Sequence, residues 1–152
     1  MKQFRYRLET VLDYKTQVLD NLKTEHAVIL QKVNRKQEEI TGLHQELAGF
    51  EANFDKAKEE GAAIENYRLF DMCIGRMEQI IDEEKARLKV LRRQEEEKKK
   101  QVITAKVDTS KFEKLKEKKL QEYQKAAAKA DEAFIEEFVT GNTLRIRPQH
   151  RG

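Results

Sequence analysis

Apolar residues recur along the first third of the chain at alternating steps of four and three, and this spacing predicts a long helix with one apolar seam. Twelve of the fifteen seam positions are apolar, and the exceptions are Lys15, His26 and Lys36. A mean step of 3.5 residues keeps one line of side chains facing a partner helix, as in a left-handed coiled coil. We therefore expect a helix over about residues 4–60 that pairs along this seam. The seam positions are Leu8, Leu12, Lys15, Leu19, Leu22, His26, Ile29, Val33, Lys36, Ile40, Leu43, Leu47, Phe50, Phe54 and Ala57.

A second seam follows a short interruption. Gly61, in the sequence Glu60-Gly61-Ala62-Ala63, suits a left-handed C-terminal cap. Asn66 is placed to cap the next helix, and the alternative is that Ile64 and Glu65 are already helical. We expect a bend over about residues 61–65, and two helices joined by a short bend lie antiparallel. The predicted fold class is therefore all-α, a long two-helix antiparallel coiled-coil hairpin whose C-terminal helix is the longer. The second seam comprises Tyr67, Phe70, Ile74, Met77, Ile81, Glu84, Leu88 and Leu91.

The second helix is predicted to run over about residues 66–139. Its apolar spacing weakens between Asp82 and Lys119. The candidate break is Val107-Asp108-Thr109-Ser110, where Ser110 and Glu113 fit a capping box. Because this stretch has no Gly or Pro, we favour an unbroken or merely kinked helix.

The C-terminal end should extend past the first helix. Thr140-Gly141-Asn142 is predicted to stop the second helix, and residues 141–152 to form a basic loose tail. The second arm exceeds the first by about 15–20 residues, or roughly 25–30 Å. We expect residues 1–152 to form a single coiled-coil domain. The overhanging side chains expected to lack an intramolecular partner are Tyr123, Phe134, Ile135 and Phe138.

Composition supports helix pairing and offers no catalytic motif. Charged residues make up 39% of the chain, but the regular apolar spacing argues against a disordered coil. The net charge is only +3 with interspersed signs, which argues against a nucleic-acid partner. His26, His44 and His150 are scattered, Cys73 suits packing, and the only serine, Ser110, has no nearby His. We predict no enzyme activity, no cofactor and no metal site.

Two sequence features suggest where the chain belongs in the cell. No apolar run approaches the length of a membrane span, so we expect no direct membrane insertion. The opening residues lead into no signal-peptide pattern, so we expect a cytoplasmic protein.

His26 lies on the first seam, where it is read as a polar position that fixes register.

Two segments carry a more specific resemblance. The first is Phe4-Arg-Tyr-Arg-Leu8-Glu-Thr-Val11-Leu12-Asp-Tyr14-Lys15, at the start of the first helix. The second is Asn66-Tyr67-Arg-Leu-Phe70, directly after the bend, followed by apolar residues at helical spacing. With the charge content and the two unequal helices, these segments resemble the flagellar FliJ family, over the chain to about Val139.

The resemblance implies a non-enzymatic component of the flagellar type III protein export apparatus, which serves motility. Such a protein is similar to a central stalk that links and stimulates the export ATPase hexamer (FliI) and contacts the export gate protein FlhA and export chaperones. It implies a monomer, peripherally associated with the inner face of the cell membrane through the export apparatus. The implied gate-binding patch is Phe70, Ile74, Met77 and Ile81. The implied end that binds the ATPase ring carries Lys119, Tyr123, Phe134 and Phe138.

Alternatives remain open from the residues alone. The apolar residues after the bend could instead pack against Phe50 and Phe54. The chain could be a homodimeric structural coiled coil, which would show twice the monomer mass. It could be a stalk subunit of another rotary ATPase or of an injectisome. A basic helical nucleic-acid binder would show a steep dependence of affinity on salt.

Overall fold

The computed structural model describes the backbone of residues 2–146 and the side chains of residues 2–142. Within these residues there are two helices and no strand: α1 spans Glu9–Glu60 and α2 spans Ile64–Ile146. The predicted all-α hairpin with a longer C-terminal helix is confirmed. Helix α1 begins about five residues later than expected, because residues 2–8 are irregular and end in a turn in which Glu9 N–H donates to Tyr6 O at 3.1 Å.

The bend lies where Gly61 interrupts the first seam. Gly61 has a φ of +78°, which side-chain-bearing residues rarely adopt, so the glycine ends α1 in a left-handed cap. Helix α2 begins at Ile64, so Asn66 lies inside its first turn, in agreement with the alternative that Ile64 and Glu65 are already helical. The Ala63 carbonyl accepts the backbone N–H groups of Asn66 at 3.0 Å and Tyr67 at 3.3 Å.

Helix α2 is continuous where the sequence offered a break and longer than the sequence indicated. Residues 107–110 are helical, which confirms the favoured unbroken reading. The predicted stop at residues 140–142 is wrong, because α2 continues to Ile146. One glycine costs a helix only about 1 kcal/mol, and the only Pro in the chain lies at position 148. The rest of the predicted loose tail, residues 147–152, lies outside the described residues.

Close contacts divide the chain into two units, each built from both helices. In the unit Asp20–Thr104, the buried core comprises Val33, Ile40 and Leu88, with Leu91 packed against it. Met77 and Ile81 are also buried, and Ile81 is only 3% exposed. These residues are all predicted seam positions, so the seam prediction is confirmed where packing is tightest. The prediction of a single domain is not tested by this division.

The other unit combines residues up to Leu19 with those from Ala105 onward. Leu12 and Leu19 are buried in it. Thr109 is 2% exposed; its Oγ1 donates to Ala105 O at 2.7 Å and lies 3.3 Å from Lys15 O. A hydroxyl so near the other helix's backbone indicates close approach of the two helices. The second seam therefore continues through the stretch that looked weak, where Thr109 is buried and Ala105 and Phe112 are half-buried.

Each polar residue of the first seam meets a carboxylate from α2. Lys15 Nζ lies 2.7 Å from Asp108 Oδ2, and His26 Nε2 lies 2.7 Å from Glu95 Oε1. Lys36 Nζ donates to Glu84 Oε2 at 2.7 Å. Such pairs stabilise a coiled coil little when solvent-exposed.

These polar pairs act mainly on register. Sliding α2 by one heptad would place Lys36 opposite Leu91 or Met77 instead of Glu84. A polar seam position that finds its partner in only one register disfavours the others. His26 lies 2.7 Å from Glu95, and its role in fixing register stays a prediction.

Candidate functional site

An aromatic cluster closes the end of the hairpin at the bend. The Phe54 ring stacks on Phe70, with centroids 5.3 Å apart, and meets Tyr67 edge-on at 6.1 Å. Lys58 Nζ lies 3.9 Å from the centroid of Phe54. This arrangement matches the alternative reading in which the apolar residues after the bend pack against Phe54.

The Tyr67 hydroxyl joins the cluster to the backbone of the bend. It accepts a hydrogen bond from Ala62 N–H at 3.0 Å and donates to Ala57 O at 3.3 Å. The Ala57 carbonyl is one of the last four carbonyls of α1, and these have no N–H donor within the helix. Tyr67 therefore satisfies one orphan group on each side of Gly61 and fixes the geometry of the bend.

The predicted gate-binding patch divides into two parts by accessibility. Phe70 and Ile74 are half-buried and reach the surface. Met77 is 9% exposed and Ile81 3% exposed, because both occupy heptad positions facing α1. Direct contact with a partner is open to the first pair, whereas the second pair positions α2 from beneath. Gate binding by this patch stays a prediction.

Exposed apolar residues that do not belong to the seam lie close to Phe70 in the sequence. Ile64, Leu69 and Met72 are each more than half exposed. Leu69 and Phe70 line an open groove of about 340 Å³, together with Phe50, Asn66 and Cys73. The available signal was that Leu69 and Met72 fall outside the seam positions, where a coiled coil normally carries polar residues. An exposed apolar patch of this kind is typical of protein–protein contact.

The other candidate surface lies where residues 2–8, the N-terminal strap, meet α2. Tyr6 Oη donates to Phe112 O at 3.0 Å, and Tyr123 Oη donates to Lys2 O at 2.5 Å. The rings of Phe4 and Tyr123 lie 5.6 Å apart. The prediction that Tyr123 lacks an intramolecular partner is therefore wrong, because the strap extends the first arm as an irregular segment that reaches Tyr123.

Beyond the strap, α2 is exposed over most of its described residues. Every residue from Ala128 to Thr140 is exposed, and we call residues 128–142 the overhang. Phe134 is 70% exposed and Phe138 63% exposed, as the sequence predicted. Lys119, just before the overhang, has its Nζ 3.7 Å from Glu122 Oε2, and both side chains are more than half exposed.

Chemistry beyond binding has few candidates among the described residues. They contain no group of three His, Cys, Asp or Glu side chains placed to hold a metal ion. Cys73 is a free, half-buried thiol in the groove beside Phe70. No helix in this part of the chain is both long and apolar enough to cross a membrane.

Comparison with known proteins gives one finding of family. The family described as "Flagellar FliJ protein" matches residues 4–145. Neither the search of curated proteins nor the search of solved structures found a match. The family match covers nearly the whole chain, including most of the strap, the bend and the overhang. The chain therefore belongs to the flagellar FliJ family, a coiled-coil component of the flagellar protein export apparatus.

Proposed function

We propose that the protein acts as a central-stalk-like rod of the flagellar type III export apparatus. One end contacts the export ATPase hexamer and stimulates it, and the surface near the bend contacts the export gate protein FlhA. Export chaperones bind the same protein during delivery of their cargo. The chain contributes no catalytic group, and it associates peripherally with the inner face of the cell membrane through the export apparatus.

The observation that carries the proposal is the exposed overhang. Phe134 and Phe138 lie one helical turn apart and are 70% and 63% exposed. An unopposed amphipathic helix is marginal in water, so a partner that covers these rings would stabilise it. Full burial of a phenylalanine contributes about 1.5–3 kcal/mol. The inner wall of the ATPase ring is the partner that family membership supports.

The ring contact is expected to be adaptable. A single stalk inside a sixfold ring cannot match all six subunits at once, so polar side chains should surround the aromatic anchors. Lys119, Gln121, Glu122 and Lys125 provide such groups immediately before the overhang. Stimulation then works through ring assembly and needs no group from this chain at the ATP site.

The test is Phe134→Ser with Phe138→Ser, assayed for hexamer formation and ATP hydrolysis by the purified export ATPase. We expect about tenfold or more weaker stimulation, because two aromatic anchors are lost. The matched control is Ile103→Ser with Val107→Ser. It removes two α2 side chains that are each 52% exposed but lie outside the overhang. Equal stimulation by both variants would place the ring contact elsewhere.

Substitution of Tyr123 is avoided in this test. Because Tyr123 contacts Phe4 and Lys2, a truncation after Lys119 would release the strap and confuse two effects. Truncation after Lys125 removes the overhang and keeps the strap contacts. It should reproduce the loss of stimulation seen with the double substitution.

Gate binding is proposed for Phe70 and Ile74, supported from beneath by Met77 and Ile81. Phe70→Ala with Ile74→Ala should reduce FlhA binding and motility more than it lowers the melting temperature. Met77→Ala is the control, because this buried side chain should lower the melting temperature with a smaller effect on binding. If loss of binding followed loss of stability across all variants, these residues would be core alone.

A further inference from the structure

We propose that a cleft beneath the N-terminal strap binds an acidic peptide segment with an apolar side chain, presented by a partner protein. This strap cleft has a volume of about 550 Å³, within the usual range of ligand pockets. All of its lining residues lie in one contact unit of the chain. They are Phe4, Arg5, Tyr6, Arg7, Leu8, Leu115 and Lys119.

The strap is held in place, so the cleft is formed before any partner arrives. The hydroxyl of Tyr6 anchors the strap to Phe112 O, and that of Tyr123 anchors Lys2 O. The Phe4 ring packs on the Tyr123 ring between these two points. A preformed cleft avoids much of the ordering cost that otherwise weakens peptide binding.

The charges of the cleft are of one sign. Three lining residues are cations and none is a carboxylate. Arg5 and Arg7 are exposed, and no ion pair to either occurs among the described residues. Lys119 has only the 3.7 Å contact to Glu122, between two side chains that are more than half exposed. Guanidinium groups bind carboxylates through two parallel hydrogen bonds, so acidic side chains are the fitting ligand.

A neighbouring cleft, which shares Phe4, Arg5 and Tyr6 with the strap cleft, provides an internal contrast. It is lined by Phe4, Arg5, Tyr6, Glu9 and Lys116. Here Lys116 Nζ donates to Glu9 at 2.9 Å, and this hydrogen bond raises the pKa of Lys116. Lys116 therefore has a carboxylate partner, whereas no ion pair to Arg5 or Arg7 occurs among the described residues and Lys119 has only its 3.7 Å contact to Glu122.

The floor of the strap cleft selects for an apolar side chain. Phe4, Leu8 and Leu115 are half-buried, and each presents an apolar surface to the cleft. A ligand with carboxylates alone would leave this surface in water. The segment that fits therefore carries a Leu or Phe flanked by Asp or Glu. This inference does not depend on the stalk proposal, because the cleft's chemistry is the same whichever protein carries the peptide.

The experiment measures fluorescence anisotropy of labelled ten-residue peptides with the full-length protein at low salt. The probe peptide has one Phe flanked by Glu pairs in a Gly/Ser background. One control peptide replaces every Glu by Gln, and another replaces Phe by Ser. We expect the probe to bind and both controls to bind about tenfold more weakly.

The protein variants separate the cleft from general charge. Arg5→Gln with Arg7→Gln should raise the probe's Kd by about tenfold or more, and both residues are exposed, so folding should persist. Lys99→Gln with Lys106→Gln removes the same charge from exposed positions outside the cleft and should leave Kd nearly unchanged. An equal loss in both variants would overturn the proposal. So would failure to bind the probe while vesicles containing phosphatidylglycerol bind in an Arg5/Arg7-dependent way, because the cleft would then serve a lipid surface.

Discussion

Two segments of α2 carry similar apolar side chains, but these side chains are buried in one segment and exposed in the other. Between Tyr67 and Leu91, α1 faces the seam of α2, and Met77, Ile81 and Leu88 are at most 9% exposed. In the overhang, every residue from Ala128 to Thr140 is exposed, and Phe134 and Phe138 are more than 60% exposed. Helical spacing is the same in both. The difference shows that burial in a thin coiled coil depends on whether a second helix is present, and not on the local pattern.

The same comparison separates structural from binding residues. An apolar residue that is covered within the chain stabilises the fold, whereas one left uncovered is available to a partner. Phe70 belongs to both classes, because it stacks on Phe54 yet borders an open groove. Substitutions at the bend therefore need stability controls that substitutions in the overhang do not.

The largest expected effect contrasts one residue from each length of α2. Ile81→Ala should lower the free energy of unfolding by about 2–4 kcal/mol, because it leaves a cavity at a side chain that is 3% exposed. Phe138→Ala should change it by less than about 0.5 kcal/mol, because this ring contributes little to the fold. Urea unfolding followed by circular dichroism measures both. A cost for Phe138→Ala comparable to that of Ile81→Ala would mean that the overhang is covered in solution.

Heptad spacing predicted the paired length well because its cause is local. The seam from Leu8 to Leu47, the hairpin and the left-handed Gly61 follow from a period of 3.5 and one glycine. The spacing also exposed Lys15, His26 and Lys36 as exceptions, but only Glu84 among their partners stood on a recognised seam. Asp108 and Glu95 lie in the charged stretch, where periodicity carries little apolar signal.

The free end was less predictable for two physical reasons. The contact between Lys2 and Tyr123 joins residues 121 positions apart through an irregular segment, so no periodic pattern encodes it. The end of α2 depends on whether one glycine's cost outweighs continued helical hydrogen bonding, and at Gly141 it does not. The strap cleft depends on the contact between Lys2 and Tyr123, so sequence analysis could not assign Arg5 and Arg7 to a site.

An intermediate effect is expected where the paired length of α2 begins. Tyr67→Phe keeps the ring contact with Phe54 but removes the hydroxyl that bridges Ala62 N–H and Ala57 O. We expect a loss of about 1 kcal/mol in unfolding free energy and faster amide exchange at Ala62. Tyr14→Phe is the control, since Tyr14 is 66% exposed and its hydroxyl makes no hydrogen bond in the described structure. Identical behaviour of the two variants would show that the bend does not need this hydroxyl.

The smallest effect concerns pH and the polar pair inside the paired length. The hydrogen bond from Lys36 lowers the pKa of Glu84 from its ordinary value of 4.5, and Arg87 beside it acts in the same direction. A carboxylate whose folded pKa is depressed adds stability above its unfolded pKa and loses it as pH falls through the folded value. Hydrogen bonds to Glu39 and Glu84 raise the pKa of Lys36 above 10.5, so its contribution is present below pH 10.5 and is lost only at more alkaline pH.

Glu84→Gln should therefore melt at a slightly lower temperature than the unmodified chain near neutral pH. The gap should narrow as pH falls below 4.5, because Glu84 then becomes neutral in the unmodified chain as well. Glu83→Gln is the control, since Glu83 is exposed and has no ion pair in the described structure. Its melting temperature should match that of the unmodified chain at every pH. Melting temperatures from circular dichroism between pH 3 and 7 give the comparison. If the melting-temperature difference between Glu84→Gln and the unmodified chain did not change with pH, the Lys36–Glu84 pair would contribute packing and no charge-dependent stability.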